Sequence, residues 1–314
     1  MKKLFYSLAI TFGFLATAQE QVTEVKSDTV KHWSIQGQNT LMLNQAAFSN
    51  WVGGGANNVG WIAGTNYNMT YEKGKDLWEN IVVLGYGQTN TKGIGTRKTQ
   101  DIINLSTNYG RKISENWYAS VGASLLTQFA PGYDYDNSNS IISTGADSNG
   151  NKKISGLMAP GYVNVGAGFT YRPNDNFTMT LRPANARFTF VLDKDLQYAG
   201  NYGLKNDGDS MLFQFGFLGT AIYKVQIMEN MSLINTASVF SNYLDHPERL
   251  VLSYGGVLNM KINKYVSTVV TLDLLYDHNQ LKRTQLKQTL GVGVAYNIDN
   301  GKKRSENKNN QTWQ

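Results

Sequence analysis

The residues able to do acid–base or metal chemistry are few in this chain. There are three histidines and no cysteine, so thiol catalysis, zinc ribbons and disulfide scaffolds are excluded. His246 follows Asp245 and His278 follows Asp277. A carboxylate and an imidazole within reach of one water could act as a general base. Neighbouring residues on a strand point to opposite faces, however, so neither dipeptide is itself a dyad. Asp273 shares the phase of Asp277 and lies lower on the same face. His32-Trp33-Ser34 is the single match to a His-x-Ser lipase pattern, and it sits next to the N-terminus. These histidines read as loop or strand-end polarity, the remoter alternative being a barrel hydrolase.

Oxygen ligands gather at Asp134, Asp136 and Asn137, at Asp147-Ser148-Asn149-Gly150-Asn151, and at Asn206-Asp207-Gly208-Asp209. A calcium loop wants glycine at its sixth position and a later bidentate Glu. Here glycine comes too early and the Glu is missing, so these segments read as solvated turns. Gly53-Gly54-Gly55 is not a phosphate loop, because no Gly-Lys-Ser/Thr comes after it. It reads as a tight turn, or as a loop folded inward with Phe48 and Trp51. No catalytic residue, cofactor site or metal site is expected, and no enzyme.

Composition narrows what must position these residues. Of 314 residues, 17% are charged, 41% hydrophobic and 12% aromatic, with 31 glycines. A soluble domain usually carries about 25% charged residues. After the N-terminus no run approaches the roughly 18 apolar residues of a spanning helix. A formal charge of +6, scattered along the chain, gives no footprint for nucleic acid.

Lys2 and Lys3 precede an apolar run from Leu4 to Leu15. Ala16 and Ala18 then provide small residues at −3 and −1. This is the layout of a cleavable secretory signal over residues 1–18, with the mature chain starting at Gln19. A short periplasmic segment, 19–31, would precede the folded part.

Alternation covers most of the remaining chain. Val59, Trp61, Ala63, Thr65, Tyr67, Met69 and Tyr71 share one face, and Asn58, Gly60, Gly64, Asn66, Asn68 and Thr70 the other. The pattern recurs from Trp117 to Phe129, Val163 to Tyr171, Phe213 to Tyr223, Leu250 to Ile262, Val266 to Tyr276 and Leu286 to Tyr296. Soluble strands average about 5–6 residues, whereas these exceed ten, as tilted membrane strands do. Twelve strands are predicted, starting near residues 33, 58, 77, 99, 117, 161, 177, 211, 231, 250, 265 and 284. Tight connections at 72–76, 111–116, 172–176, 226–230 and 261–264 alternate with longer ones, including 90–98, 131–159 and 193–210. The expectation is an all-β, closed, antiparallel, up-and-down transmembrane barrel over residues 32–298. Both termini would be periplasmic, with a polar periplasmic tail over 299–314.

Tyr71, Tyr109, Tyr171, Tyr223 and Tyr296 end returning strands, while Trp78 and Trp117 open rising ones. Such amphipathic rings favour the headgroup level, so an interfacial girdle is expected. Inward charges are assigned to Asp101, Arg172, Arg182, Arg187, Asp273 and Lys287. Arg182 and Arg187 flank Pro183, where alternation breaks, which predicts a bulge. With Asp273 they are candidates for a lumen constriction, either as cross-lumen salt bridges or as a basic filter for anionic solutes.

Phe48-Ser49-Asn50-Trp51-Val52-Gly53-Gly54-Gly55-Ala56-Asn57, Leu77-Trp78-Glu79-Asn80, Leu84-Gly85-Tyr86-Gly87, Trp117-Tyr118 and Gly291-Val292-Gly293-Val294-Ala295-Tyr296 carry a resemblance. The chain resembles an uncharacterised family of Bacteroidetes-type outer-membrane β-barrels, known as a domain of unknown function. The Trp-x-Gly-Gly segment with Asn57 just after it is its most specific part. The resemblance implies an outer-membrane barrel and no particular activity. Barrels often end on an aromatic residue read by the assembly machinery. Here that signal would be internal, around Tyr296 to Ile298. The functional expectation is a channel for small or amphipathic solutes. Its rival is a non-conducting accessory barrel that docks with other outer-membrane proteins. Expected partners are outer-membrane lipid, the barrel-assembly machinery and, on the rival reading, those proteins.

Overall fold

The computed structural model describes residues 32–48, 56–136, 140–263, 266–278 and 281–300. The strands are β1 (Trp33–Ala46), β2 (Asn58–Lys73), β3 (Asp76–Thr91), β4 (Gly95–Lys112), β5 (Trp117–Thr127), β6 (Gly132–Asp134), β7 (Lys152–Ser155), β8 (Gly161–Tyr171), β9 (Phe177–Phe190), β10 (Met211–Met228), β11 (Met231–Asn242), β12 (Val251–Lys261), β13 (Val266–Asp277) and β14 (Leu281–Asp299). Twelve of them form one closed ring, each antiparallel to its neighbours, and β1 pairs with β14 to shut it. The remaining two, β6 and β7, form a small hairpin inside the connection between β5 and β8.

Alternation explains the closure. Leu41, Val59, Leu105, Val165, Phe213 and Val294 point outward and are exposed, while the intervening Gly, Ser, Asn and Thr residues face the lumen. An apolar belt of this extent is untenable in water. Against lipid, ring closure satisfies the backbone groups that hydrocarbon would otherwise penalise by several kcal/mol each. The chain therefore forms a membrane-spanning barrel.

The start of β1 and the end of β14 share one end of the barrel, here the proximal end. Proximal connections are tight: β2 ends at Lys73 and β3 begins at Asp76, with Gly74 at φ +60° between them. Distal connections are longer between β1 and β2, β5 and β8, β9 and β10, and β11 and β12, but short between β13 and β14, and one expectation needs correcting. The segment 90–98, expected as a long loop, is a tight turn, because β3 runs to Thr91 and β4 begins at Gly95. Gly93, at φ +85°, adopts the left-handed conformation that permits the reversal.

Two distal connections fold against each other. Ala159, Val191, Leu196 and Leu204 form a buried apolar cluster, with Ile141, Tyr202 and Leu212 packed around it. The buried Asn201 side chain accepts from Ile142 N (2.9 Å) and donates to the carbonyls of Ile142 (2.7 Å) and Leu196 (2.8 Å). Tyr202 donates to the Ile154 carbonyl, and Lys153 pairs with Asp193 and, at 3.4 Å, with Asp195. The result is a cap bonded to the distal ends of β5, β8, β9 and β10.

Candidate functional site: the lumen and its rims

At the proximal rim, register lines up the aromatic residues. Trp33 faces Tyr71, Tyr71 faces Trp78, and Trp78 faces Tyr109. Ring centres are 5.3 Å apart for Trp33–Tyr71 and 5.6 Å for Trp33–Trp78. Trp78 Nε1 donates to Thr107 Oγ1 (2.7 Å), and the Tyr109 hydroxyl donates to Asp76 (2.7 Å). The row resumes at Trp117–Tyr171 (4.9 Å), and Tyr223 lies opposite Phe177. Tyr296 faces outward on β14, opposite Asn39 and 69% exposed. His32 packs edge-on against Tyr71 at 5.8 Å. Each aromatic pair contributes about 0.5–1.5 kcal/mol beyond its buried area.

The interior has two unlike sides. On the β4–β5–β8–β9 side, polar residues pack the wall solidly. Thr170 is fully buried, donates to Ser120 Oγ (3.0 Å), and accepts from Asn108 Nδ2 (3.2 Å). Arg182, 8% exposed, donates to Asn108 Oδ1 (3.0 Å), and its Nε has no hydrogen-bond partner. Its guanidinium occupies the space that a side chain at Gly122 would take. Toward the proximal end, Arg172 Nη1 lies 3.5 Å from Glu79 Oε1, above the buried Leu77 and Tyr118.

On the β1–β13–β14 side the inner face is more exposed, at Gln36, Asn44, Asp273, Lys287 and Asn297, although Met42, Ser267 and Val269 on the same face are buried. Asp273 lies opposite Lys287 in the β13–β14 ladder. The Lys287 amine donates to Gln100 Oε1 on β4, on the far side of β1, β2 and β3.

A second crossing lies toward the distal end. β9 carries a register irregularity around Pro183 and Ala184, seen against both β8 and β10. The irregularity shifts the phase so that Arg182 and Arg187, five positions apart, both face inward. Arg187 Nη2 reaches Asp277 Oδ2 at 3.8 Å, and its guanidinium lies 5.0 Å from the centres of both Tyr162 and Phe240. Arg182, Arg187 and Asp273 are thus all on the inner wall, but Asp273 faces Lys287 and Arg187 pairs with Asp277. In the sequence Asp277 was half of an Asp-His dipeptide, in phase with the inward Asp273. Its in-phase spacing from Asp273 was the available sign that it faces the lumen.

Asp101 corrects an expectation. It lies on the outer face, in phase with Leu105 and Tyr109 and opposite Tyr86. There it accepts from Lys98 Nζ (2.8 Å) and from the backbone N–H groups of Phe129 (2.7 Å) and Ala130 (3.0 Å). It anchors the start of the cap to β4.

The other candidates fall outside the lumen. Asp147 accepts from the N–H groups of Asn149 and Asn151 and from Asn151 Nδ2, which closes a turn and holds its carboxyl below the usual carboxylate range. His246 Nδ1 lies 2.9 Å from Glu248 Oε1 on an exposed distal loop. Phe48, just beyond β1, is half-exposed, its N–H bonded to Asn57 Oδ1 (2.6 Å). Ala16, Ala18, Gln19, Trp51, Gly53, Gly54 and the tail beyond residue 300 lie outside the described residues.

Comparison with known proteins adds a partial family match and a set of similar folds. A family described as "protein of unknown function (DUF3078)" matches residues 43–133. No curated protein matches the chain. Among solved structures, the chain is similar to the translocator domain of the autotransporter NalP from Neisseria meningitidis, at 13% identity over 84% of this chain and 87% of that one (TM-score 0.34). It is also similar to the COG4313 outer membrane channel from Pseudomonas putida F1, at 10% identity over 85% and 94% of the two chains (TM-score 0.35). A third similarity is to the NanC porin, at 11% identity over 82% and 98% (TM-score 0.33). At such values the fold rests on this chain's own strand pairing, which closes a ring of twelve antiparallel strands.

Proposed function

We propose that the chain is an outer-membrane barrel, of the Bacteroidetes type its motifs resemble, that passes small or amphipathic solutes. The proximal end would face the periplasm and the cap the exterior, with residues 1–18 removed as a signal. One observation carries this reading: inner-face residues on β1, β13 and β14 are exposed toward both ends, at Gln36 and Asn297 proximally and at Asn44, Asp273 and Lys287 more distally, about a middle where Met42 and Gly291 are buried. A barrel of about twelve strands lies between filled small barrels and open porins. A lumen packed along one wall and exposed toward both ends of the other fits that middle size.

The crossing from Arg187 to Asp277 would narrow the wet path, with Arg182 as a second positive charge on the packed wall. Selectivity in such a pore depends on which charges line it. Conductance of the purified protein in a planar bilayer tests the reading. Discrete current steps support it. A silent protein that co-purifies with other membrane proteins would favour the accessory role.

A further inference from the structure

On three neighbouring strands the inner face loses its exposure at one place. Along β1 the inward residues run from the exposed Gln36 through half-buried Gln38 and Thr40 to Met42, 8% exposed, and Asn44 is exposed again. Along β14 they run from the exposed Asn297 to the buried Gly291 and back to the exposed Lys287. On β13, Ser267 and Val269 are 4% and 9% exposed, while Asp273 is exposed. Ladder register brings these minima together: Val269 lies opposite Gly291, and Met42 and Ser267 both lie opposite Gly293.

Glycine makes the contact possible. Met42 Sδ occupies the place that a side chain at Gly291 would take, with Met42 Cβ and Cγ close behind. The methionine thus leans onto β14, on the side of Gly291 that faces the lumen, with Val269 as that glycine's other neighbour. An inward side chain that is nearly unexposed is out of reach of luminal water, whatever lies opposite it. Narrow apolar sites stay dry, because a water needs about two to four polar partners. The Ser267 hydroxyl, buried in the same patch, has no hydrogen-bond partner among the described residues.

We propose that Met42 determines which solutes pass: with Val269 and Gly291 it forms an apolar constriction that holds back hydrated ions and yields to the apolar part of an amphipathic solute. The inference deepens the channel reading and rests on it. Hydrophobic constrictions gate by dewetting, so a hydrated ion must shed water to enter. An alkyl or aryl group instead exchanges one apolar contact for another. Methionine suits the task, because its unbranched side chain has three rotatable bonds and can swing off Gly291 without moving either strand. The exposed polar residues on both sides, Gln36 and Asn297 proximally and Asn44 distally, are there for the solute's polar end.

Permeability and water access test this separately. The reversal potential between potassium hexanoate and potassium chloride, for the full chain in a planar bilayer, gives the relative permeability of an amphipathic and a hydrated anion. That ratio should favour hexanoate in the unmodified chain, fall about tenfold in Met42→Ser, and hold in Met42→Leu. The chain has no cysteine, so single cysteines report water access in nanodiscs, where both ends of the lumen meet the reagent. Ser267→Cys should react with a charged methanethiosulfonate about tenfold more slowly than Gln36→Cys or Asn44→Cys, and adding Met42→Ser should remove the difference. If Met42→Ser does not fold, judged by heat-modified migration, Met42→Ala should give the same shifts. An unchanged permeability ratio, or Ser267→Cys reacting as fast as the two exposed positions, would overturn the proposal and leave a conducting channel standing. A protein that passes no current with or without Met42 would instead sink the channel reading, and with it the role of Met42 toward solutes.

Discussion

Arg187 on β9 meets Asp277 on β13 at 3.8 Å, across the three strands that separate them around the ring. The guanidinium lies between Tyr162 and Phe240, so it is held by two aromatic faces as well as by the carboxylate. Cation–π contacts of this kind contribute about 0.5–2 kcal/mol, which keeps the side chain extended into the lumen rather than folded along the wall. Replacing Arg187 by Gln removes the positive charge and leaves Asp277 facing the path. The variant should conduct more and shift toward cation selectivity, read as a change in reversal potential under a salt gradient. Unchanged selectivity would remove Arg187 from the path.

Closure depends on one close approach of backbones. A side chain at Gly293 would collide with the Leu41 carbonyl and the Met42 backbone on β1. Gly293→Ala should therefore destabilise the barrel by about 1–3 kcal/mol. Gly255 faces only Asp273 Oδ1 at 3.5 Å, an ordinary contact, so Gly255→Ala should be near neutral. Urea unfolding in lipid vesicles measures both, and equal effects would contradict this account of the seam.

Trp78 touches Trp33, lies opposite Tyr71 and Tyr109, and bonds Thr107. Trp78→Ala should cost about 1–3 kcal/mol from lost burial and ring contacts. Trp78→Phe should keep most of it. The same unfolding assay checks the order of the two variants.

The cap is tied by Lys153. Its Asp193 partner, first by hydrogen bond and then by charge, together with Asp195, holds the amine above the usual lysine range. A raised value means the contribution is complete below the ordinary lysine pKa and fades only as pH rises through the higher folded one. Protease cleavage within residues 128–160 should thus stay flat through neutral pH and rise only in strong alkali. Lys153→Met should raise it already at neutral pH, by an amount matching about 1 kcal/mol or less for a partly exposed pair.

Strand number and placement were legible because alternation is a local signal repeated along each strand. The expected starts at 33, 58, 117, 161, 177, 211 and 231 are those observed. The irregularity around Pro183 was legible for the same reason, since proline breaks the phase. The turn at Lys92-Gly93-Ile94 was not, because the polar, charged residues from Thr96 to Gln100 look like loop yet pair with β3. Asp101 was given the wrong phase, although it shares that of the outward Tyr109, and the loop that buries it arrives from Phe129 and Ala130. The cap core was hidden too, because Ile141, Leu196 and Leu204 show no period in sequence and meet only when two distal connections fold together. The Arg187–Asp277 pair depends on which strands face each other across the lumen, and no local pattern encodes that.

What most needs testing is the proposed solute path along the β1, β13 and β14 side of the lumen. Its most direct test is single-channel recording of the purified full chain in a planar bilayer, unmodified and as Arg187→Gln. The account predicts small, discrete conductance steps that grow in the variant. A protein whose circular dichroism and heat-modified migration show a folded barrel, yet which passes no current in either form, would contradict it.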